Sequence, residues 1–327
     1  MRSAPSAMPA PQFDHPALFY RDQQDYLVTT VPFILDGLEA GDPVMVSVPT
    51  SNLACLREAL GDDARRVIMH DMTVAGRNPG RIIGQVLLAF AGEHAGKRAR
   101  IIGEPIWAGR DATEYPACAQ HEALINPAFD GLNAIILCPY NTSELEPQVV
   151  ADALRTHPVV WTSTEQYPSD QYVDPLVTAE SFNVPLSPRP PTAEHTIIDV
   201  ENAHLTIAET RRFSASFALA VGLPVERVAD AVLTVDELVA NTLDHGGGRG
   251  QLAAWTEHGR AVFEVTNGSH ITDPLVGRRP VRDDQATGRG LSLVHRRADL
   301  VRMHTNPRGT TIRAYLVLTQ DLDQGAI

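Results

Sequence analysis

The sequence predicts two domains of different class. The first is an α/β three-layer sandwich, and the second an α+β sandwich with helices on one face of a mixed sheet. Three observations carry this reading. At 327 residues the chain is long enough for two domains of about 100–200 residues each. The first half alternates short Val- and Ile-rich runs with amphipathic segments, and the runs lack polar alternation, the pattern of strands buried on both faces of a parallel sheet. The second half groups strands with strands and helices with helices, and the proline-rich stretch Pro185–Pro191 (PLSPRPP) divides the halves as a short, extended linker.

Composition narrows the function classes. A hydrophobic fraction of 43% and a charged fraction of 20% are those of a soluble globular protein. The net charge of −13 argues against direct nucleic-acid binding, although Arg278–Arg279 forms a small local basic patch. Three cysteines, Cys55, Cys118 and Cys138, have no CxxC spacing and fit free thiols in a reducing compartment better than a disulfide framework or a zinc site. Twelve histidines show no HxH or HExxH spacing for a metal hydrolase. The first residues read neither as a secretory signal nor, anywhere in the chain, as the ~18 uninterrupted apolar residues of a membrane helix. The expectation is a cytoplasmic protein without a membrane partner.

Residues 1–12, rich in Ala, Pro and Ser, are expected to be a disordered tail. In the first domain, residues 13–185, strands are predicted at Pro43–Val48, Arg66–His70, Arg100–Gly103, Asn133–Cys138 and Val159–Trp161. Helices are predicted at Asp22–Glu39, Asn52–Leu60, Gly80–Glu93, Glu114–Phe129 and Glu146–Thr156. Ligands of such sheets sit at the carboxyl ends of the strands. The end at Pro49-Thr50-Ser51-Asn52 lacks the Gly-rich run and Gly-Lys-Ser/Thr ending of a phosphate loop. The other strand ends and the helix that follows offer Glu104, Trp107, Tyr140, His121 and Glu122 as candidates for holding a small molecule, each of which is equally readable as an ordinary loop or cap residue.

The second domain, residues 193–327 after a linker at 186–192, begins with a strand near His195–Val200 and a helix at Ile207–Val221. A second helix opens at Pro224 and closes at the glycine run from Gly246. Val228, Val232, Val235 and Val239 form one apolar stripe on it at about 100° per residue. Glu237 and Asn241 lie half a turn away, four residues apart on one face, with His245 one turn further. On their own they read equally well as a solvated helix face. Strands follow at Leu252–Glu257 and Ala261–Thr266, then a polar loop to Thr287. Gly288-Arg289-Gly290-Leu291 opens a helix running to about Leu300, and strands at Val301–Thr305 and Thr310–Leu318 close the domain. Glycines before a helix let the backbone approach a phosphate, and the helix N-terminus offers free amides and a positive dipole end.

Two family resemblances follow from these segments. HPALFYRDQQDYL, FILDGLEAGDPVMV, IIGEPIWAGR, HEALINPAF, ILCPY and the late THP together resemble, in family order, the MEDS (methanogen/methylotroph, DcmR-like) sensory domain. That resemblance implies a RecA/KaiC-like sandwich without the nucleotide loop and an unidentified small organic ligand, and it transfers no catalytic residue. The ExxxN helix, the strand ending at Asn267, GxGL before a helix and the GTT of Gly309–Thr311 resemble the GHKL (Bergerat-fold) ATPases, most closely the bacterial anti-sigma-factor serine/threonine kinases. This second resemblance implies ATP and Mg2+ as cofactors. Glu237 becomes the general base or water-orienting carboxylate, Asn241 the magnesium ligand, Gly288 and Gly290 the triphosphate lining with Arg289 and Leu291 beside them, and Thr310 a group near the adenine. The implied partners are a sigma factor and an anti-anti-sigma (STAS-type) protein, with a homodimer left open.

One box departs from the family. Where Asp-x-Gly is usual, this chain has Asn267-Gly268-Ser269. A neutral carboxamide accepts the adenine amino group more weakly than a carboxylate, and Ser269 crowds the base pocket. The readings therefore stand side by side: a kinase under sensory control, a nucleotide-free pseudokinase that only binds partners, and, less well supported by the proline-rich linker, a sensor histidine kinase.

Overall fold

A computed structural model describes residues 12–199, 203–246, 249–280 and 289–318. Residues 1–11 of the expected tail at 1–12, together with Val200 and Gly288, lie outside the described residues. Contacts divide the chain into two compact units that do not follow chain order. The first comprises residues 1–74, 87–108 and 125–173, and the second 75–86, 109–124 and 174–327.

Elements run in this order: β1 (Phe13–Asp14), β2 (Pro16–Tyr20), α1 (Gln23–Ala40), β3 (Val44–Val48), α2 (Thr50–Leu60), β4 (Ile68–Asp71), α3 (Met72–Ala75), α4 (Pro79–Ile82), α5 (Leu88–Glu93) and β5 (Ala99–Gly103). There follow α6 (Tyr115–Phe129), β6 (Ala134–Asn141), α7 (Pro147–Thr156), β7 (Val159–Trp161), β8 (Gln166–Pro168) and α8 (Pro175–Ser181). The remainder is β9 (Glu194–Asp199), α9 (Ala203–Ala220), α10 (Val225–His245), β10 (Arg249–Glu257), β11 (Arg260–Asn267), α11 (Arg289–Arg297), β12 (Leu300–Asn306) and β13 (Gly309–Val317).

The first unit is built on an eight-stranded sheet in the order β4-β3-β5-β6-β2-β7-β8, with β1 beside β6. All pairings are parallel except β7–β8. Strands lacking polar alternation pack apolar groups on both faces. On one face α1 and α2 bury Phe33, Ile34, Leu53 and Leu56 against Val46, Val48, Ile102 and Leu137. On the other, the C-terminal part of α6 stacks Phe129 on Phe13 at 5.3 Å between ring centroids. Helix α1 is held at its ends as the sequence suggests: the Asp22 side chain accepts from Asp25 N (2.9 Å), and Gly41 takes the left-handed conformation, φ 75°. The five expected strands are present, but β2, near the middle of the sheet, was not among them. Its residues PALFY begin with proline, tolerated at the first position of a strand, and give no turn signal before the polar start of α1. The expected single helix Gly80–Glu93 is broken by one π-helical turn at Ile83–Leu87.

The second unit carries a five-stranded sheet in the order β12-β13-β11-β10-β9. Its four pairings among the described residues are all antiparallel, so the expectation of a mixed sheet does not hold here: tight turns join β10 to β11 and β12 to β13, and hairpins are antiparallel by construction. One face packs on α9, α10 and α11 through Phe217, Val235, Leu238, Val239, Phe263, Leu291, Val294 and Ile312. Of the valine stripe of α10, Val235 and Val239 are fully buried core and Val228 packs at its margin, whereas Val232 is only half-buried.

Helices were expected on one face only. The opposite face is also covered, by chain segments remote in sequence whose docking no local pattern announces. Ala117 of α6 joins Trp255, Val262, Leu300 and Tyr315 in a second cluster, and Arg302 Nη1 donates to Thr113 O. The linker is seated on this face as well. Arg189 pairs with Glu264 and Gln251, while Arg313 pairs with Glu264, donates to Ser187 Oγ (3.0 Å) and lies over the Trp255 ring at 5.0 Å. Next to the helices, the buried Asn78 accepts from Gly80 N (3.1 Å), capping α4, and donates to His295 O of α11 (2.9 Å).

Candidate functional site

The face of α10 that is not core carries the candidate site of the second unit. Four-residue spacing stacks Glu237, Asn241 and His245 along it. His245 is exposed in the last turn, at the negative end of the helix dipole. Glu237 is half-buried and its carboxyl is pushed above the usual range, first by burial and second by the charge of Asp236. The amide nitrogen of Asn241 is buried without a hydrogen-bond partner among the described residues.

The start of α11 closes on these two side chains. A Cβ added at Gly290 would lie 2.6 Å from Glu237 Oε2, 3.2 Å from Asn241 Nδ2 and 3.5 Å from Asn241 Oδ1. Only glycine permits that approach. The next residue, Leu291, anchors α11 in the core and meets Gly277, φ 73°, where a Cβ would stand 2.5 Å from Leu291 Cβ. Arg289 is exposed at the first position of α11. The carboxylate, the carboxamide and the glycine-opened helix, some fifty residues apart in sequence, therefore converge. Hard oxygen donors of this kind, together with water, are the donor set magnesium takes.

Asn267 and Thr310 form a second corner at the other edge of α10. They are register partners at the ends of β11 and β13. Asn267 Nδ2 donates to Thr242 Oγ1 (3.0 Å), one residue on from Asn241. Its carbonyl oxygen accepts from Ser269 N (2.9 Å) and Ser269 Oγ (2.5 Å), so both lone pairs of that oxygen are engaged locally. Thr310 is buried; its hydroxyl donates to Ser269 O (2.8 Å) and meets Thr305 Oγ1 (2.7 Å). Beside Asn267 opens a cleft of about 700 Å³ lined by Arg249, Gly250, Gln251, Thr266, Gly268 and Arg308. Thr242 and Ser269, which hold Asn267, were not singled out from the sequence; Ser269 was noted there only as a departure.

In the first unit the sequence candidates separate. Glu104, at the carboxyl end of β5, is buried and accepts from Tyr20 Oη (2.9 Å) and Asn52 Nδ2 (2.8 Å). Burial raises its carboxyl from 4.5 to about 8, against the opposing effect of those two donors. Tyr20 packs on Tyr26 at 5.0 Å, and the Tyr26 hydroxyl is buried without a partner among the described residues. Tyr140 lies on the opposite face of the sheet, since it meets Phe19 (6.1 Å) rather than Tyr20, and consecutive strand residues point to opposite faces. It also meets His157 edge-on at 5.5 Å. Trp107 is half-buried after β5, and His121 and Glu122 are buried in α6. Tyr20 and Asn52 were missed as partners of Glu104. Asn52 sits at the one strand end searched for a phosphate loop, and Tyr20 ends the strand that the pattern did not reveal.

Comparison with known proteins finds a family model matching a segment in each half of the chain. Residues 14–158 match the family model of the MEDS domain, the methanogen/methylotroph DcmR sensory domain. Residues 200–316 match that of the histidine kinase-like ATPase domain. No curated protein matches the chain. Among solved structures, the RsbU and RsbW domains of Rv1364c from Mycobacterium tuberculosis are similar at 18% identity and a TM-score of 0.30, over 39% of this chain and 33% of that one. The chain therefore spans about a third of that structure's length. The histidine kinase domain of the E. coli osmosensor EnvZ is similar at 24% identity and a TM-score of 0.24, over 35% of this chain and 89% of that one. Among the described residues no helix is long and apolar enough to cross a membrane.

Proposed function

We propose that this chain is a cytoplasmic signalling regulator in which a MEDS sensory domain of RecA/KaiC-like build controls a Bergerat-type, ATP-binding serine/threonine kinase module of the anti-sigma-factor kind. The observation that carries the reading is the closure of Gly290 on Glu237 and Asn241, joined to the family match over residues 200–316. In this reading Asn241, with water, would hold Mg2+ and Gly288, Arg289, Gly290 and Leu291 would line the phosphates of ATP. The metal neutralises phosphate charge when bound. Glu237 would take the proton of the acceptor serine hydroxyl as that oxygen bonds to the γ-phosphorus and the bond from the γ-phosphorus to the bridging oxygen breaks, releasing ADP; burial with the Asp236 charge makes that carboxylate a stronger base. His245 and Thr310 complete the nucleotide contacts, and the acceptor is an anti-anti-sigma (STAS-type) protein that competes for a sigma factor. A homodimer is compatible with this scheme.

The sensory site of this reading is the buried carboxyl of Glu104 with Tyr20 and Asn52. It lies at the carboxyl ends of parallel strands, where such sheets hold ligands. Burial keeps Glu104 largely protonated at neutral pH, so it donates as well as accepts, which suits a small neutral organic molecule. Trp107, His121, Glu122 and Tyr140 remain candidates for the same role.

A second reading has one observation in its favour. The carbonyl of Asn267 is already taken by Ser269, as in a pseudokinase that binds partners without nucleotide. The sensor-histidine-kinase reading has less: His195 lies in strand β9, opposite Ala253, rather than on a dimerisation helix. Calorimetry of the full chain with Mg-ATP decides first, since no heat at millimolar nucleotide removes the kinase reading. Phosphate transfer to candidate STAS-type partners, compared between wild type and Glu237→Ala, decides next. Transfer lost in the variant supports the kinase, whereas equal partner binding without transfer by either protein supports the switch.

A further inference from the structure

A group of side chains in the first unit, separate from Glu104 and from the nucleotide site, has the composition of a metal centre. His15 immediately precedes β2, Cys138 lies in β6, and His157 lies two residues before β7. Strand β2 sits between β6 and β7, with Ala17 opposite Cys138 and Pro16 opposite Val159. The register therefore brings all three to one place, although 123 and 142 residues separate His15 from the other two. All three are buried, at 1% exposure or less. Their ligand atoms lie within 4.8 Å of one another. His15 Nε2 is 3.3 Å from Cys138 Sγ, and the two imidazole rings are 4.1 Å apart between centroids.

The surroundings orient both rings for coordination through the same nitrogen. His157 Nδ1 lies 2.9 Å from the Ala153 carbonyl. His15 Nδ1 lies 3.2 Å from Asn126 Oδ1, and Asn126 is itself fixed because its Nδ2 donates to Thr156 O (2.9 Å). Each Nδ1 thus has an oxygen acceptor, which selects the tautomer with the proton on Nδ1 and the lone pair on Nε2. A carbonyl behind the imidazole is the usual support of a metal-ligating histidine. The scale agrees too. Tetrahedral zinc with bonds of about 2.3 Å to sulfur and about 2.0 Å to nitrogen sets those two ligands about 3.5 Å apart, close to the 3.3 Å observed.

We propose that His15 Nε2, Cys138 Sγ and His157 Nε2 bind one divalent metal ion of borderline softness, zinc in the first instance, inside the sensory module. A thiolate with two neutral imidazoles excludes the hard cations magnesium and calcium. Binding displaces the thiol proton of Cys138 to solvent, and the buried thiolate is stabilised by the cation. This assignment does not rest on the kinase reading.

The test uses the full-length protein and cobalt(II) as the spectroscopic probe. Expected are one equivalent of zinc in protein purified from zinc-supplemented medium, and, after exchange into cobalt, a thiolate-to-cobalt charge-transfer band with the intense visible bands of tetrahedral coordination. Cys138→Ser should abolish the charge-transfer band, and His157→Gln should weaken cobalt affinity at least tenfold, whereas Cys55→Ser, at a partly exposed thiol, should change neither. Should Cys138→Ser fail to fold by circular dichroism, X-ray absorption of the zinc-loaded wild type replaces it, with one sulfur and two imidazole nitrogens expected. Wild-type protein that retains no zinc and shows no sulfur-to-cobalt band, or zinc whose absorption spectrum lacks a sulfur ligand, overturns the proposal.

Discussion

A methyl group on Gly290 would stand 2.6 Å from the Glu237 carboxylate, so α11, which begins at Arg289, and the helix carrying ExxxN touch through a residue that has no side chain. Real Cβ atoms do not approach that closely, and Gly290→Ala must push α11 off Glu237 or rotate the carboxylate away. Mg-ATP affinity is expected to fall at least tenfold, about 1.4 kcal/mol, while the melting temperature drops only modestly because Leu291 still anchors the helix. Calorimetry and thermal unfolding on the same preparations check this; unchanged affinity would falsify the placement of nucleotide at this contact.

The corner proposed for adenine yields the opposite sign. Ser269 occupies the Asn267 carbonyl with both its amide and its hydroxyl. Ser269→Gly removes the hydroxyl, and adding Asn267→Asp supplies a charged acceptor, for which a hydrogen bond is roughly twice as strong as a neutral one. The double variant is expected to bind Mg-ATP about tenfold more tightly than wild type. Equal or weaker binding would place the base elsewhere.

Glu104 makes stability depend on pH. Its folded value of about 8 lies above the ordinary 4.5, so between the two the folded chain holds a proton that the unfolded chain has lost. The contribution is fully present below about pH 4.5, declines as pH rises, and is gone above about pH 8, a change on the order of a few kcal/mol. Glu104→Gln should flatten this slope. Urea titrations at intervals from pH 5 to 9 measure it, and identical slopes in the two proteins would refute the assignment.

Asn78 and Gly80 hold α4 to α11. Asn78→Ala removes the α4 cap and leaves the His295 carbonyl without its donor in a buried position, which should cost about 1–3 kcal/mol. At Gly80 a Cβ would lie 2.1 Å from His295 Nδ1, so Gly80→Ala is expected to destabilise by a similar amount through overpacking, about 1–3 kcal/mol. Chemical denaturation gives both values, and a neutral Gly80→Ala would show that the two helices do not bear on each other.

Much of the architecture was legible because it follows from local periodicity. The valine stripe of α10 predicts which face is core, and the Val- and Ile-rich runs predict five of the strands in the parallel sheet. The spacing of Glu237 and Asn241 places them on one face, since four residues make one turn. What periodicity does not carry is contact between distant segments. Strand β2 escaped because PALFY is short and bounded by no turn residue on its far side. The covering of the second face of the β9–β13 sheet by residues 109–124 and by the PLSPRPP linker left no local mark. The antiparallel order of that sheet also depends on which strands become neighbours.

The same division separates the two candidate sites. The sequence by itself supplied the parts of the corner proposed for nucleotide, because ExxxN and GxGL are short motifs whose chemistry resides in their own spacing. Tertiary structure alone decided that Gly290 meets Glu237, that Ser269 occupies the Asn267 carbonyl, and that Glu104 and Tyr140 leave opposite faces of one sheet. It alone assembled His15, Cys138 and His157. Parallel strand register brings together residues that no motif length spans, and burial then gives their side chains properties they lack in an unfolded chain.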